Sequence, residues 1–180
     1  MSKNGQTKIS GIPAISAIYY ALLQCGYDFF SMERGNEHVD AIRKFALSQC
    51  APPFFSETRQ MACEVYPYWP RAAILETATF YLLPDYAGYE NFDDLRNQVM
   101  SAGNIADQER GNELWNWLAD FPNALKAVLD STGFEDYLKW EQQWIAQQNL
   151  AHEKELSLIH NCLDRCVKQY HSPVQDIQIV

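Results

Sequence analysis

The most distinctive group of side chains is a short aromatic segment framed by two prolines, Tyr66-Pro67-Tyr68-Trp69-Pro70-Arg71. Proline lacks a backbone N–H and fixes its own φ angle, so this backbone cannot continue a regular helix. The rings must either fill a corner between helices or face a ligand. Because aromatic residues and arginine are enriched in recognition surfaces and pockets, we expect Tyr66, Tyr68, Trp69 and Arg71 to bind a ligand or partner. A corner whose rings fill the core is the alternative.

Two further side chains are candidates for the same role. Glu76 follows on the next predicted helix and could supply a carboxylate to an aromatic pocket. Trp117 lies in the segment Leu114-Trp115-Asn116-Trp117-Leu118, where helical geometry points it away from the face shared by its apolar neighbours. Trp117 is therefore predicted to be exposed and available to a partner, unless both tryptophans pack between helices.

No pattern of metal ligands or catalytic groups emerges from the sequence. Cys162 and Cys166 share a helical face, but His160 lies roughly 200° around the helix from Cys162. A structural zinc site needs four converging ligands, and no motif of a zinc hydrolase, serine hydrolase or nucleotide-binding loop occurs. We therefore expect neither a metal nor a cofactor, and the lack of a catalytic motif favours a non-catalytic protein.

The charge of the chain restricts its partners. The formal net charge is −9, and residues 91–180 carry 14 Asp or Glu against 7 Lys or Arg. Phosphate groups bind where Lys and Arg cluster, so this balance excludes nucleic acid and disfavours an anionic membrane surface. A protein partner is expected, and a basic one is compatible with this charge.

The cysteines and the N-terminal residues point to the cytoplasm. Five cysteines are an odd number in a chain that is long enough to fold without disulfides, which indicates reduced and mostly buried thiols. The apolar stretch Ile12–Leu23 is too short to span about 30 Å of hydrocarbon, and no small-residue cleavage pattern follows it. We interpret it as a buried helix of the mature protein.

The fold class predicted is all-α: a globular bundle of about seven or eight helices, forming a single domain over residues 1–173. The 47% of hydrophobic residues is enough for a core, and Ile18 of the first helix is expected near its centre. Gly26 is expected to weaken that first helix, and Gly111 and Gly133 to interrupt or end later ones. Helix starts are predicted from N-cap residues and early prolines at Pro13, Asn36, Ser56, Pro70, Asn91, Asn104 and Asp120.

The C-terminal region is predicted to be a long helical stretch. Residues 134–170 contain neither Pro nor Gly, and a single helix of that length would span about 55 Å. Since a compact chain of this size has a diameter of roughly 40 Å, we expect an interruption where the apolar stripe becomes polar, between Gln147 and His152. Residues 174–180 are β-branched and partly alternating, which predicts a strand-like tail that pairs with a partner or leads into a further element.

Three functions are compatible with these features. The leading hypothesis is a non-catalytic helical interaction domain, as the N-terminal part of a larger bacterial-type cytoplasmic protein or free-standing. The second is a small-ligand-binding protein or enzyme with an aromatic pocket. The third is an acidic inhibitor or immunity-type protein that masks a basic partner.

Overall fold

The computed structural model describes residues 7–26, 37–45, 53–57, 73–83, 92–101 and 108–170. Its described residues form eight helices and no strand, which confirms the all-α class. Residues 53–57 are helical as well. The eight helices are α1 (Pro13–Gln24), α2 (Glu37–Lys44), α3 (Ala73–Leu82), α4 (Phe92–Ser101), α5 (Gln108–Leu118), α6 (Phe121–Leu129), α7 (Thr132–Ala151) and α8 (Glu153–Tyr170).

Contacts divide the chain into two compact units, which we describe separately. The larger unit is Pro13–Tyr137, and the smaller unit combines Met1–Ile12 with Leu138–Val180. None of the described helices is both long enough and apolar enough to cross a bilayer. The strand-like tail predicted at 174–180 lies outside the described residues.

Helix α1 is central to the larger unit. It contacts α2, α3 and α6, and Ile18 is fully buried, as predicted. Pro13 begins the helix because the first-turn amides need no intrahelical partner. Gly26 does more than weaken α1: its φ of 83° lies in the left-handed region that glycine favours, and the helix ends just before it at Gln24.

An aromatic cluster joins α1 to the start of α7. The ring of Tyr20 lies 5.4 Å from the ring of Phe134 and 5.4 Å from that of Tyr137, measured between centroids. All three side chains are buried, and burying one such ring contributes about 1.5–3 kcal/mol. This cluster fixes the first turns of α7 against α1.

Several local expectations are wrong, each for a physical reason. Gly111 lies inside α5 without interrupting it, and Gly133 lies in the first turn of α7 rather than at the end of α6. Both glycines are buried, and packing outweighs the cost of about 1 kcal/mol for glycine in a helix. Ser56 lies within the helical stretch 53–57, where its hydroxyl donates to the Pro53 carbonyl over 2.8 Å, instead of starting a helix.

The smaller unit contains most of α7, all of α8 and the segment before α1. The side-chain amide of Asn149 accepts from the Ile9 N–H over 2.8 Å and donates to the Ile9 carbonyl over 2.9 Å. A Cβ at Gly11 would lie 3.1 Å from Cδ1 of Ile145, so glycine permits the close approach of this segment to α7. His152 separates α7 from α8, which confirms the predicted interruption between Gln147 and His152. The interruption is local, because Leu156 N–H still donates to the His152 carbonyl over 2.9 Å.

Candidate functional site

The larger unit contains an open cleft of about 1000 Å³. It lies between the helical residues 53–57, α5 and α6. We call it the acidic cleft, and its lining includes Phe54, Glu57, Glu113, Trp117, Asp120 and Asn123.

One face of α5 forms the first wall of the acidic cleft. Glu113, Asn116 and Trp117 project from the same side of the helix, at spacings of three and four residues from Glu113. Asp120, seven residues from Glu113, lies just beyond the end of α5 and also lines the cleft. This spacing is readable in the sequence and is the signal that sequence reasoning missed. Residues at the start of α6 form the neighbouring wall, where Pro122 in the first turn suits the helix start.

The aromatic floor of the cleft is a stacked pair of rings. Trp117 and Phe54 lie 4.7 Å apart between centroids, with 8° between their planes. Phe54 is also held by Phe121, whose ring centroid is 5.6 Å away, and by Phe55, at 5.3 Å in an edge-on arrangement. Because Phe54 is buried among these rings, the half-buried indole of Trp117 rests on a packed support.

Three carboxylates give the cleft its charge. Glu57, Glu113 and Asp120 are exposed, and none of the described residues that line the cleft is basic. Asp120 is at the N-cap position of α6, but its backbone is in the αR region and its side chain makes no capping hydrogen bond. Asp120 thus occupies the predicted N-cap position, but its side chain does not make the capping hydrogen bond that a cap residue is expected to make. Its carboxylate is therefore available to a ligand rather than used by the backbone.

The indole N–H of Trp117 is a polar group without a hydrogen-bond partner among the described residues. Nε1 is buried, and no described residue accepts a hydrogen bond from it. An unsatisfied buried donor costs about 1–3 kcal/mol, which natural structures usually avoid. Trp117 thus combines a half-buried ring in the cleft with a buried donor that no described residue satisfies.

The candidate residues taken from the sequence have different outcomes. Trp117 lines the acidic cleft, where it is half-buried rather than exposed. Glu76 accepts a hydrogen bond from the Tyr19 hydroxyl across the contact between α3 and α1. Tyr66, Tyr68, Trp69 and Arg71 lie outside the described residues.

The three cysteine thiols among the described residues are less buried than the sequence predicts. Cys25 is half-buried, and burial raises the pKa of its thiol, whereas Cys162 and Cys166 are exposed on α8. None of these three forms a disulfide. Within the described ranges, no group of three or more His, Cys, Asp or Glu side chains converges in a way that could hold a metal ion.

The fold is all-α, and the cleft in its larger unit is open, acidic and aromatic. No family model matches the sequence, and neither a curated protein nor a solved structure matches it. The groups in the cleft are of types that can attract a cation, because carboxylates attract positive charge and an indole ring attracts cations through its π face.

Proposed function

We propose that this protein is a non-catalytic interaction domain that binds an arginine- or lysine-rich segment of a partner protein in the acidic cleft. The observation that carries the proposal is the convergence of Glu57, Glu113 and Asp120 around the Trp117–Phe54 stack. The proposal unites two functions compatible with the sequence, an interaction domain and an acidic protein that masks a basic surface. The odd number of cysteines supports a cytoplasmic setting for this interaction.

The shape of the cleft favours a polypeptide over a small ligand. A drug-sized ligand is usually enclosed, with most of its surface buried, whereas this cleft is broad and open. A basic side chain that enters it meets exposed carboxylates, each worth roughly 0.2–1 kcal/mol as an ion pair. Contact with the Trp117 ring adds about 0.5–1 kcal/mol for an exposed cation. Several basic residues of one segment are therefore needed for useful affinity, and the net charge of −9 speeds their association.

The test compares two variants of equal net charge. A dye-labelled arginine–glycine repeat peptide is titrated with the protein, and binding is followed by fluorescence anisotropy at low and at physiological ionic strength. The combined substitution Glu57→Gln, Glu113→Gln and Asp120→Asn should weaken binding by about ten-fold or more, because it removes three ion pairs. The matched control replaces the exposed carboxylates of Asp40, Asp93 and Glu153, which lie outside the cleft, by amides.

The control variant should bind within about two-fold of the wild type, since only long-range attraction is reduced. Equal losses in the two variants would mean that the peptide recognises net charge alone, and the proposal would be wrong. The aromatic contribution is tested in the same assay by Trp117→Leu, with an expected loss of about two- to five-fold. Its control is Trp115→Leu, because that ring packs against Phe92, at 5.5 Å between centroids, and does not line the cleft.

A further inference from the structure

Helix α8 presents an apolar stripe to solvent. Leu158 is 66% exposed and Ile159 is 41% exposed, and the exposed thiols of Cys162 and Cys166 lie beside them on the same helix face. The residues that share their face recur at spacings of three and four, and the buried Leu156 lies at the edge of this face, three positions before Ile159. We call this face the outer stripe, and all of its members are exposed: Glu155, Leu158, Ile159, Cys162, Arg165 and Cys166.

We infer that the outer stripe binds the outer stripe of a second copy of this chain, with the two α8 helices antiparallel about a two-fold axis. Such an interface is isologous, since the same residues are used on both sides. Burial of Leu158, Ile159 and Cys162 from both copies supplies the hydrophobic contribution.

The charges on the outer stripe select this orientation. Glu155 lies near the N-terminus of α8 and Arg165 lies near its C-terminal end, ten positions later on the same face. In an antiparallel pair centred on residue 160, Glu155 of each copy is opposite Arg165 of the other copy, which gives two ion pairs at the rim. A parallel pair would place like charges opposite each other, which is unfavourable.

A depression on α8 fits the same register. Its volume is about 400 Å³, and its lining includes Leu158, Asn161, Cys162 and Arg165. These four residues stand at positions i, i+3, i+4 and i+7, which is the arrangement of a hole in knobs-into-holes packing. With the ion pairs aligned as above, residue 159 of one copy is opposite residue 161 of the other. Ile159 of the second copy is therefore the knob that enters this hole.

The expected affinity is modest. Helix α8 has 18 residues and spans about 27 Å, so a single helix pair buries an area at the low end for specific interfaces. We therefore expect dimerisation that is weak and depends on protein concentration.

The test is the oligomeric state of charge-reversed variants of the full chain, measured by sedimentation velocity over a range of concentrations. The wild type should form dimers as concentration rises. Glu155→Arg and Arg165→Glu should each remain monomeric, because each places like charges opposite each other twice. An equimolar mixture of the two variants should form heterodimers, since every rim pair is then again of opposite charge.

Recovery of dimerisation in the mixture would show that the single variants are monomeric because their interface charges repel, and not because they are misfolded. The matched control is Glu153→Arg, the same charge change on the same first turn but on the other side of α8; it should dimerise like the wild type. The variant Leu158→Glu should remain monomeric by itself, and it should also remain monomeric when it is mixed with either charge-reversed variant. A wild type that is monomeric at all concentrations, or a mixture that fails to dimerise, would overturn the inference.

Discussion

At the residue scale, the clearest electrostatic feature outside the acidic cleft is the pair Tyr19–Glu76. The Tyr19 hydroxyl donates to Oε1 of Glu76 in a partly buried contact between α1 and α3. Burial raises the pKa of Tyr19 well above its ordinary value, and the hydrogen bond to Glu76 and the negative charge of that residue raise it further. Glu76, expected from the sequence to serve a ligand, thus has a structural partner.

This pair predicts how stability depends on alkaline pH. The folded state holds the Tyr19 proton more tightly than the unfolded chain does. The contribution of this proton to the free energy of unfolding is therefore present below about pH 10 and is lost as pH rises above it. Tyr19→Phe should lower the free energy of unfolding by about 1–2 kcal/mol near neutral pH, because Glu76 loses its donor. The difference between wild type and variant should shrink above about pH 10, since phenylalanine does not titrate.

Urea unfolding from about pH 8 to about pH 11 measures this difference. Tyr20, whose pKa is raised to about 12 by burial and by the charge of Asp136, titrates in both proteins. The change in the free energy of unfolding that Tyr20 causes at alkaline pH is therefore the same in both proteins, and it cancels when they are compared. A gap between the two proteins that stays constant across this range would show that Tyr19 does not hold its proton more tightly in the folded state.

At the scale of elements, the side chain of Asn149 ties the region of the α7–α8 junction to the N-terminal segment. Asn149 makes two hydrogen bonds to the backbone of Ile9, as a neighbouring β-strand would, and a third to the Ile145 carbonyl over 3.1 Å. Thr7 adds a contact of 3.2 Å between its hydroxyl and Nδ1 of His160. The polar positions that predicted the interruption therefore also hold the segment before α1.

Asn149→Ala should release this segment. The Ile9 N–H and carbonyl would lose their partners, at a cost of about 1–3 kcal/mol, partly offset by the higher helix propensity of alanine. Hydrogen exchange of the Ile9 amide should accelerate about ten-fold or more, as read by NMR. Gln147→Ala is the control, because Gln147 is exposed on the same helix. Equal exchange rates in the two variants would mean that Asn149 does not hold the segment.

The start of α1 and the interruption at His152 could be predicted because each depends on residues close in sequence. Pro13 begins α1, and a turn interrupts the helix where polar residues replace the apolar stripe. The acidic cleft was only partly predictable. The spacing from Glu113 to Asp120 is local, but the contact between Phe54 and Trp117 joins residues about sixty positions apart. Such contacts depend on tertiary packing, which leaves no periodic signal in the sequence.

At the scale of the whole molecule, buried side chains are distributed unevenly between the two units. Among described residues, the largest side chains with less than 2% exposure all belong to Pro13–Tyr137, and Tyr20, Phe121 and Ile18 are examples. Among the described residues of the other unit, the buried side chains are Thr7, Ile12, Glu141 and Leu156, each 6–8% exposed. Because local stability follows buried apolar contact, the two units should not have equal free energies of opening.

We therefore predict that α8 opens before α1. In hydrogen exchange followed by mass spectrometry, peptides from α8 should exchange at least about ten-fold faster than peptides from α1, which corresponds to a difference of 1.4 kcal/mol or more in opening free energy. Protection of α8 should increase with protein concentration if a second copy covers its outer stripe, whereas protection of α1 should not change. The variant Glu155→Arg supplies the control, since it should remove the concentration dependence and leave the exchange of α1 unaffected. Simultaneous exchange of α1 and α8 under all conditions would instead mean that the two units open as one cooperative body, and the unequal burial of their side chains would then have no consequence for local stability.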